Sequence, residues 1–515
     1  MNYADLFRAT LPETALEIAA LVVLIVDLGL LRKAALKTRV AIAALLGVAG
    51  CGAALWALQV QGNASLSYGI TGEFTLLAAG TYIAVAQTGI LVLTALTLLL
   101  LIDSVFTRNA GEYVAVVLMA AAGGLIIAAA QDLLVIFVGL ELLSLGLYIL
   151  TAFAKSSGKS AEAAMKYYLF GGMSAAFLLF GFSYLYGITG STNLHQILLA
   201  VYGWNAYHAA PLLYIAIVLI AAGLGFKVAA VPFHLWAPDT YEGAPAPAAA
   251  FIASVSKVAS FALLISIGTA AMHVFDGRHF TVYLTAQVLP AGAPRPPVYL
   301  GFRIPWMLIL TVLSAASMVL GNLAALAQIS VRRLLAYSAI AHAGYILLAL
   351  AYFTYSPLST NAILYYILTY GLTTIGAFGV VGVVERATGS DRFDAFLGLH
   401  KRNPLLAAVL LVLFLSLAGI PPLVGFWAKF NLFAAVLSVS AGPVPFTLVA
   451  LAVAMSAVSL YYYLQVLKRA YVMPAADETP IKAHPVTLIV LLAIAAAVVV
   501  LGCFPALLQG WIASF

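Results

Sequence analysis

Five ionisable residues stand inside long apolar runs. Glu141 lies in Phe137-Val138-Gly139-Leu140-Glu141-Leu142-Leu143, Lys166 follows Glu162 by one helical turn, and Lys227, Lys257 and Lys429 occupy later runs. A charge at the centre of a bilayer costs at least about 2.5 to 3.5 kcal/mol, so each residue is a functional candidate through its cost alone. Desolvation loosens an amine's hold on its proton and a nearby carboxylate restores it, so moving an opposite charge loads or unloads a lysine. Two plainer readings stay open: Glu141 and Lys227 as a fixed ion pair, and Lys166 as a side chain snorkelling to the inner surface.

Prolines accompany two of these lysines. Pro232 follows Lys227 by five residues and cannot donate the bond that the Val228 carbonyl would accept, while Pro421 and Pro422 precede Lys429. An unwound turn in a membrane helix exposes carbonyls where water or an ion can enter, which places an ammonium beside each gap. Around Lys257, Ser254 and Ser260 fall three residues to either side and give a polar stripe on an apolar rod. Similar stripes join Ser338, His342 and Tyr345, then Tyr366, Tyr370 and Thr373, then Ser456, Ser459 and Tyr463. Hydroxyls and imidazole sustain hydrogen-bonded water chains, and the same residue types also favour close helix packing. Ser254, His342 and Tyr345 are therefore candidate relays, and His234 is a candidate gate or cap near the inner mouth.

The elements that must hold these residues are membrane helices. Hydrophobic residues make up 64% of the 515 positions and charged residues 8%, against roughly a quarter charged in soluble domains. With about 20 residues per span, the apolar runs predict an all-α polytopic membrane protein of about fourteen helices, beginning near residues 12, 40, 75, 112, 133, 161, 209, 245, 304, 330, 360, 403, 445 and 485. With both termini outside, the inner loops hold 16 of the 24 lysines and arginines, as the positive-inside rule asks. The first helix is expected to be retained, since it lacks the basic start and small-residue cleavage site of a signal peptide.

The proline breaks lie five helices apart. An odd number of helices per unit turns the second copy over, so the chain is read as two inverted five-helix repeats, each with a proline-broken helix. The resulting organisation is an N-terminal three-helix segment (1–110), a first repeat (111–272), an external loop rich in Pro and Gly (273–303), a second repeat (304–472) and a last helix (473–515). Cys51 and Cys503 are far apart and belong to no Cys/His cluster, so no metal or redox centre is expected in the chain. The net charge of +6 is spread over short loops and gives no stripe for nucleic acid. Lysines repel sodium and carry protons themselves, which favours the proton as the ion moved.

On these motifs the chain resembles the proton-conducting, antiporter-like subunits of NADH-quinone oxidoreductase, respiratory complex I, most closely the subunit N branch. The resemblance covers nearly the whole chain. It rests on Phe137 to Leu145, Glu162 to Gly171, Pro232-Phe233-His234-Leu235-Trp236-Ala237-Pro238-Asp239 with Tyr241 to Pro245, Arg332 to Tyr345, and Pro421 to Phe430. It implies that Glu141, Lys227 and Lys257 form one half-channel and that Lys429 serves the other. It also implies a bacterial cytoplasmic membrane location and partner subunits, in the membrane and in a peripheral arm, that hold the flavin, iron-sulfur clusters and quinone. A subunit of a multi-chain cation/proton antiporter or membrane-bound hydrogenase is the alternative, and a non-conducting scaffold the third reading.

Overall fold

The structure is a computed structural model that describes residues 7–62, 66–68, 74–104, 106–201, 210–273, 303–353, 357–439, 442–475 and 479–514. The expected external loop falls almost wholly outside these residues. The helices are α1 (Leu11–Ile25), α2 (Leu36–Gln61), α3 (Thr81–Leu101), α4 (Ala110–Ala129), α5 (Leu133–Thr151), α6 (Gly158–Thr189), α7 (Leu194–Val201), α8 (Ala210–Val228) and α9 (Trp236–Gly243). There follow α10 (Ala246–His273), α11 (Arg303–Leu326), α12 (Val331–Ala351), α13 (Pro357–Thr388), α14 (Pro404–Ala418), α15 (Val424–Val439), α16 (Pro443–Tyr471), α17 (Pro485–Cys503) and α18 (Pro505–Ser514). Among the described residues, twelve helices are long and apolar enough to cross a membrane, and α14 and α15 are shorter apolar pieces.

Polar residues fix where these apolar rods begin. Asp132, Ser157, Ser330 and Asn403 each cap the helix that follows, accepting from the amides of Leu134, Ser160, Arg333 and Leu406, which satisfies orphan donors of the first turn. The run expected to start a helix near residue 75 instead contains a strand: β2 (Phe74–Leu77) pairs antiparallel with β1 (Leu66–Tyr68), and α3 starts at Thr81. Gly80 separates the two elements, and periodicity alone does not tell a short apolar strand from a helix end.

Burial is uneven in an informative way. Helix α10 is buried along its whole apolar length and α12 and α13 nearly so, whereas α6, α11, α16 and α17 present much of their surface outward. The three central helices are the ones that carry Lys257, His342, Tyr366 and Tyr370. Small residues allow the close approach: a Cβ on Gly344 of α12 would stand 2.8 Å from the Met318 nitrogen of α11, and one on Gly321 2.7 Å from the Ala341 nitrogen.

Outside that centre, α1 is fastened by a buried ion pair. After Ile25 the chain makes a π-helical turn, Val26–Leu30, where Asp27, 1% exposed, accepts two bonds from Arg39 of α2 at 2.8 and 2.7 Å and a third from the Gly111 amide of α4 at 3.1 Å.

Candidate functional site

Lys227 is the penultimate residue of α8, where the helix stops. Ala229 takes a left-handed φ of 59°, its amide bonds the Phe226 carbonyl at 3.0 Å, and the Ala230 amide reaches the Gly225 carbonyl at 2.8 Å. The Val231 amide is held by Ser317 Oγ at 2.9 Å and the Trp236 indole by the Phe226 carbonyl at 3.0 Å. These bonds meet backbone groups that Pro232 leaves without a helical ladder. The ammonium does not turn to the gap. It donates to Ser144 Oγ on α5, with its Nζ 5.7 Å from the Phe226 ring centre.

Glu141 stands one turn before Ser144 and corrects an expectation. It is half-buried rather than buried, no ion pair joins it to Lys227 among the described residues, and it shares an outward stripe with Leu134, Val138, Leu145 and Ile149. Its run is apolar all round, so periodicity does not say which side faces out. Among the described residues the deeply buried carboxylates are Glu13, 3% exposed, Asp27 and Asp132; the first two stand on α1 or its π turn, where the nearby charged residues of the sequence disguised their depth, and the third caps α5.

Lys257 of α10 donates to the Ala339 carbonyl of α12 at 2.5 Å and lies 5.8 Å from the centre of the Tyr370 ring of α13. Ser254 spends its hydrogen on the Ala250 carbonyl of its own helix at 2.6 Å, leaving its lone pairs to a relay. His342 Nδ1 and Tyr366 Oη form a 2.7 Å bond, and the imidazole packs 4.8 Å from the Tyr370 ring and 5.7 Å from that of Tyr345. Tyr345 Oη accepts from Asn322 at 3.1 Å, Asn322 accepts from Tyr462 at 3.1 Å, and the Ser338 and Tyr463 hydroxyls bond each other. Lys429 Nζ closes this sequence 5.5 Å from the Tyr345 ring centre.

At the second break the backbone itself is the partner. Helix α14 ends at Ala418, with Gly419 left-handed at φ 88°. Lys429 of α15 donates to the carbonyls of Leu417 at 3.0 Å and Ala418 at 2.9 Å, and to Ser456 Oγ of α16 at 2.8 Å. Those two carbonyls are the ones whose helical partners four residues on would be Pro421 and Pro422, which have no N–H. Gly425 lets α15 press against the Ser416 carbonyl, where a Cβ would collide. A narrow cavity lined by His342, Tyr366, Thr373, Ser416 and Gly425 joins the tyrosine cluster to this break, with room for about one water.

Lys166 is placed elsewhere. Its side chain is 41% exposed and pairs with Glu162 and Asp239, both at 2.7 Å. Arg333 holds Asp239 at 2.6 Å and Glu242 at 3.1 Å, and Lys159 holds Glu242 at 3.2 Å; these four and Glu162 rim one cavity, and Lys166 joins the network beside it. Lys166 sits only eight residues into α6, about 12 Å along its axis, which is why it meets the surface network and not the buried axis. Burial pushes the Asp239 and Glu242 carboxyls up, but the hydrogen bonds from Lys166 and Arg333 to the first, and from Arg333 and Lys159 to the second, outweigh it and leave both below the usual carboxylate range. His234, half-buried between α8 and α9, has an Nδ1 without a partner among the described residues. Its backbone carbonyl, not its ring, accepts the Ala237 amide at 2.9 Å.

The chain that carries these three lysines has known counterparts. A family model described as "NADH:quinone oxidoreductase/Mrp antiporter, TM" matches residues 130–288 and 293–459, which span both breaks. The chain belongs to this family. The match leaves α1 to α4 outside, so the Asp27 anchor is a feature of the flanking segment. Among relatives of this antiporter family, NADH-quinone oxidoreductase subunit N 2 of Acidobacterium capsulatum is 47% identical and covers 99% of both chains. A chain of the respiratory complex I of Thermus thermophilus with bound aureothin is 32% identical, with a TM-score of 0.74 over 97% of this chain and 98% of that one. A chain of a membrane-bound sulfane sulfur reductase, an archaeal respiratory complex, shares the fold at a TM-score of 0.79 and 24% identity, over 98% and 96%.

Sequence reasoning found the three lysines, both breaks, His342 and the tyrosine stripes. It missed Ser144, Ser317 and Asn322, whose only signal was a polar side chain within an apolar run.

Proposed function

We propose that this chain is the subunit N type of membrane subunit in an NADH-quinone oxidoreductase and conducts protons along the axis from Lys227 through Lys257, His342 and the tyrosines to Lys429. One observation carries the reading: three lysines are buried in apolar spans with their ammonium groups held by hydroxyls and carbonyls and by no carboxylate among the described residues. Such groups exchange protons at moderate cost, whereas a locked ion pair does not. Lysines also repel sodium, which favours a proton route over the cation side of an antiporter.

The two units of the route are residues 111–272 and 304–472, read as inverted copies. In support, each holds five spans of which the fourth is broken, at α8–α9 and at α14–α15. The clustering of Lys155, Lys159, Arg332, Arg333, Arg386, Lys401 and Lys468 at one end of the spans supports a cytoplasmic face there and both termini on the outer side of a bacterial inner membrane. Flavin, iron-sulfur clusters and quinone then belong to partner subunits, whose redox energy reaches this chain through the charges at Glu141 and Lys227.

The test is proton pumping by the assembled complex in proteoliposomes with Lys227→Ala, with quinone reduction recorded in the same preparation. Loss of both in an intact complex is the expected result. Unchanged pumping and turnover would leave the buried lysines as packing features and make the chain a scaffold.

A further inference from the structure

Helix α13 carries polar residues beyond those of the axis above, on the same ridge as two of its tyrosines. Every fourth position from its basic end falls on one ridge: Arg386, Gly382, Phe378, Thr374, Tyr370 and Tyr366. The spacing makes them a ridge about 30 Å long that winds about 40° per step, roughly half-way round the helix from Arg386 to Tyr366. At the Arg386 end the ridge lines a narrow cleft walled by α3, α10 and α17, with Ser104 and Thr487 beside Arg386 and with Phe378 at its inner limit. At the other end Tyr370 faces Lys257 and Tyr366 bonds His342.

Two features mark this cleft as polar. Among the described residues Thr487 Oγ1 in the cleft, in a residue 2% exposed, finds no partner, and neither does the Oη of fully buried Tyr241 beside it, whose ring meets Phe378 edge-on at 5.7 Å. Buried hydroxyls of this kind are costly unless water satisfies them. The mouth is charged and ordered: Arg386 pairs with Asp103 and reaches Ser104 Oγ at 3.2 Å, and the His484 amide bonds Asp103 at 3.3 Å. Past the mouth the ridge is kept thin. A Cβ on Gly382 would stand 2.9 Å from that of Ala246, and one on Gly379 2.7 Å from Leu491.

We infer that this ridge is a water-filled inlet from the basic face to Lys257, with Phe378 as an apolar constriction between the mouth at Arg386, Ser104 and Thr487 and the hydroxyls of Tyr241, Thr374 and Tyr370. The inlet would rewet the lysine that sits midway along the axis without passing through either broken helix. Phe378 blocks free leakage, since its ring must move before water on the two sides joins. The inference rests on the proton-conducting reading, but its test does not depend on pumping.

The test is thiol labelling of the assembled complex in inverted membrane vesicles, which turn the cytoplasmic face outward, in a Cys503→Ser background. A membrane-impermeant cationic methanethiosulfonate is applied to Thr487→Cys, Ser104→Cys and Thr374→Cys, and modification is read as a mass shift of this chain. Lys482→Cys, exposed on the same face, is the control for access. Modification of Thr487→Cys and Ser104→Cys, together with at least tenfold faster modification of Thr374→Cys once Phe378→Ala is added, is the expected outcome. Protection of both mouth cysteines while Lys482→Cys reacts overturns the inlet. A labelled mouth with Thr374→Cys equally protected with and without Phe378→Ala overturns Phe378 as its constriction and reduces the cleft to a surface pocket.

Discussion

Tyr366→Phe is the sharpest single perturbation of the proposed axis. The substitution keeps the ring, and with it the packing of α13 on α12, and deletes only the oxygen bonded at 2.7 Å to His342 Nδ1. His342 is buried, so its nitrogen is left without that partner at a cost of about 1–3 kcal/mol. If the bond is a step on the proton route, the same 1–3 kcal/mol added to the transfer barrier slows conduction about 5- to 150-fold. The assay is the reconstituted complex with proton uptake followed by a pH-sensitive dye and quinone reduction measured in parallel, after native electrophoresis has shown that assembly is intact. Pumping and coupled turnover should fall together. Tyr365→Phe, one residue away, loses a hydroxyl that among the described residues reaches only the Leu501 carbonyl at 3.4 Å and should leave both unchanged. Wild-type rate and stoichiometry in Tyr366→Phe would refute the reasoning, because the chemical link between the Lys257 and Lys429 sides would then run elsewhere.

Two further predictions concern the charges at the periphery. Asp27→Asn removes one partner of a buried, doubly bonded pair and should cost about 3–5 kcal/mol of stability, with much of the loss recovered when Arg39→Met accompanies Asp27→Leu; thermal denaturation of the solubilised complex measures both. At the basic mouth, Asp239 and Glu242 are held below the usual carboxylate range, so the unfolded chain takes up protons first as pH falls. Their contribution is therefore complete above an unfolded carboxylate value of roughly 4 and disappears as pH drops through the lower folded values. Denaturation midpoints of wild type and Asp239→Asn should differ at pH 7 and converge below about pH 4.

The buried lysines were legible because nothing else in an apolar span competes for attention, and the breaks were legible because proline lacks a donor. Side was harder to read than depth. Apart from Ser144 the residues near Glu141 on α5 and near Lys227 on α8 are apolar, so periodicity does not tell that Lys227 turns inward to Ser144 while Glu141 faces outward with Val138 and Leu145. Of the two readings of Lys166 the structure favours the surface one: its span looks apolar, but Asp239 and Arg333, from distant segments, meet near the start of α6, where Asp239 pairs with it. Asp27 and Arg39 were hidden as ordinary loop charges, because only tertiary packing reveals that a π turn tucks the carboxylate beneath Gly111.

The capture of the Leu417 and Ala418 carbonyls by Lys429 has a mechanical meaning. An ammonium has three hydrogens and this one has three acceptors, whereas a neutral amine has only two hydrogens to give. On the proposed route, each proton that departs leaves two N–H groups for three acceptors, one of them Ser456 of α16, so one fastening among α14, α15 and α16 lets go or reverses, and each arrival restores it. Charge and shape at this joint are one variable, and the helix pair becomes a latch whose key is the ion it conducts.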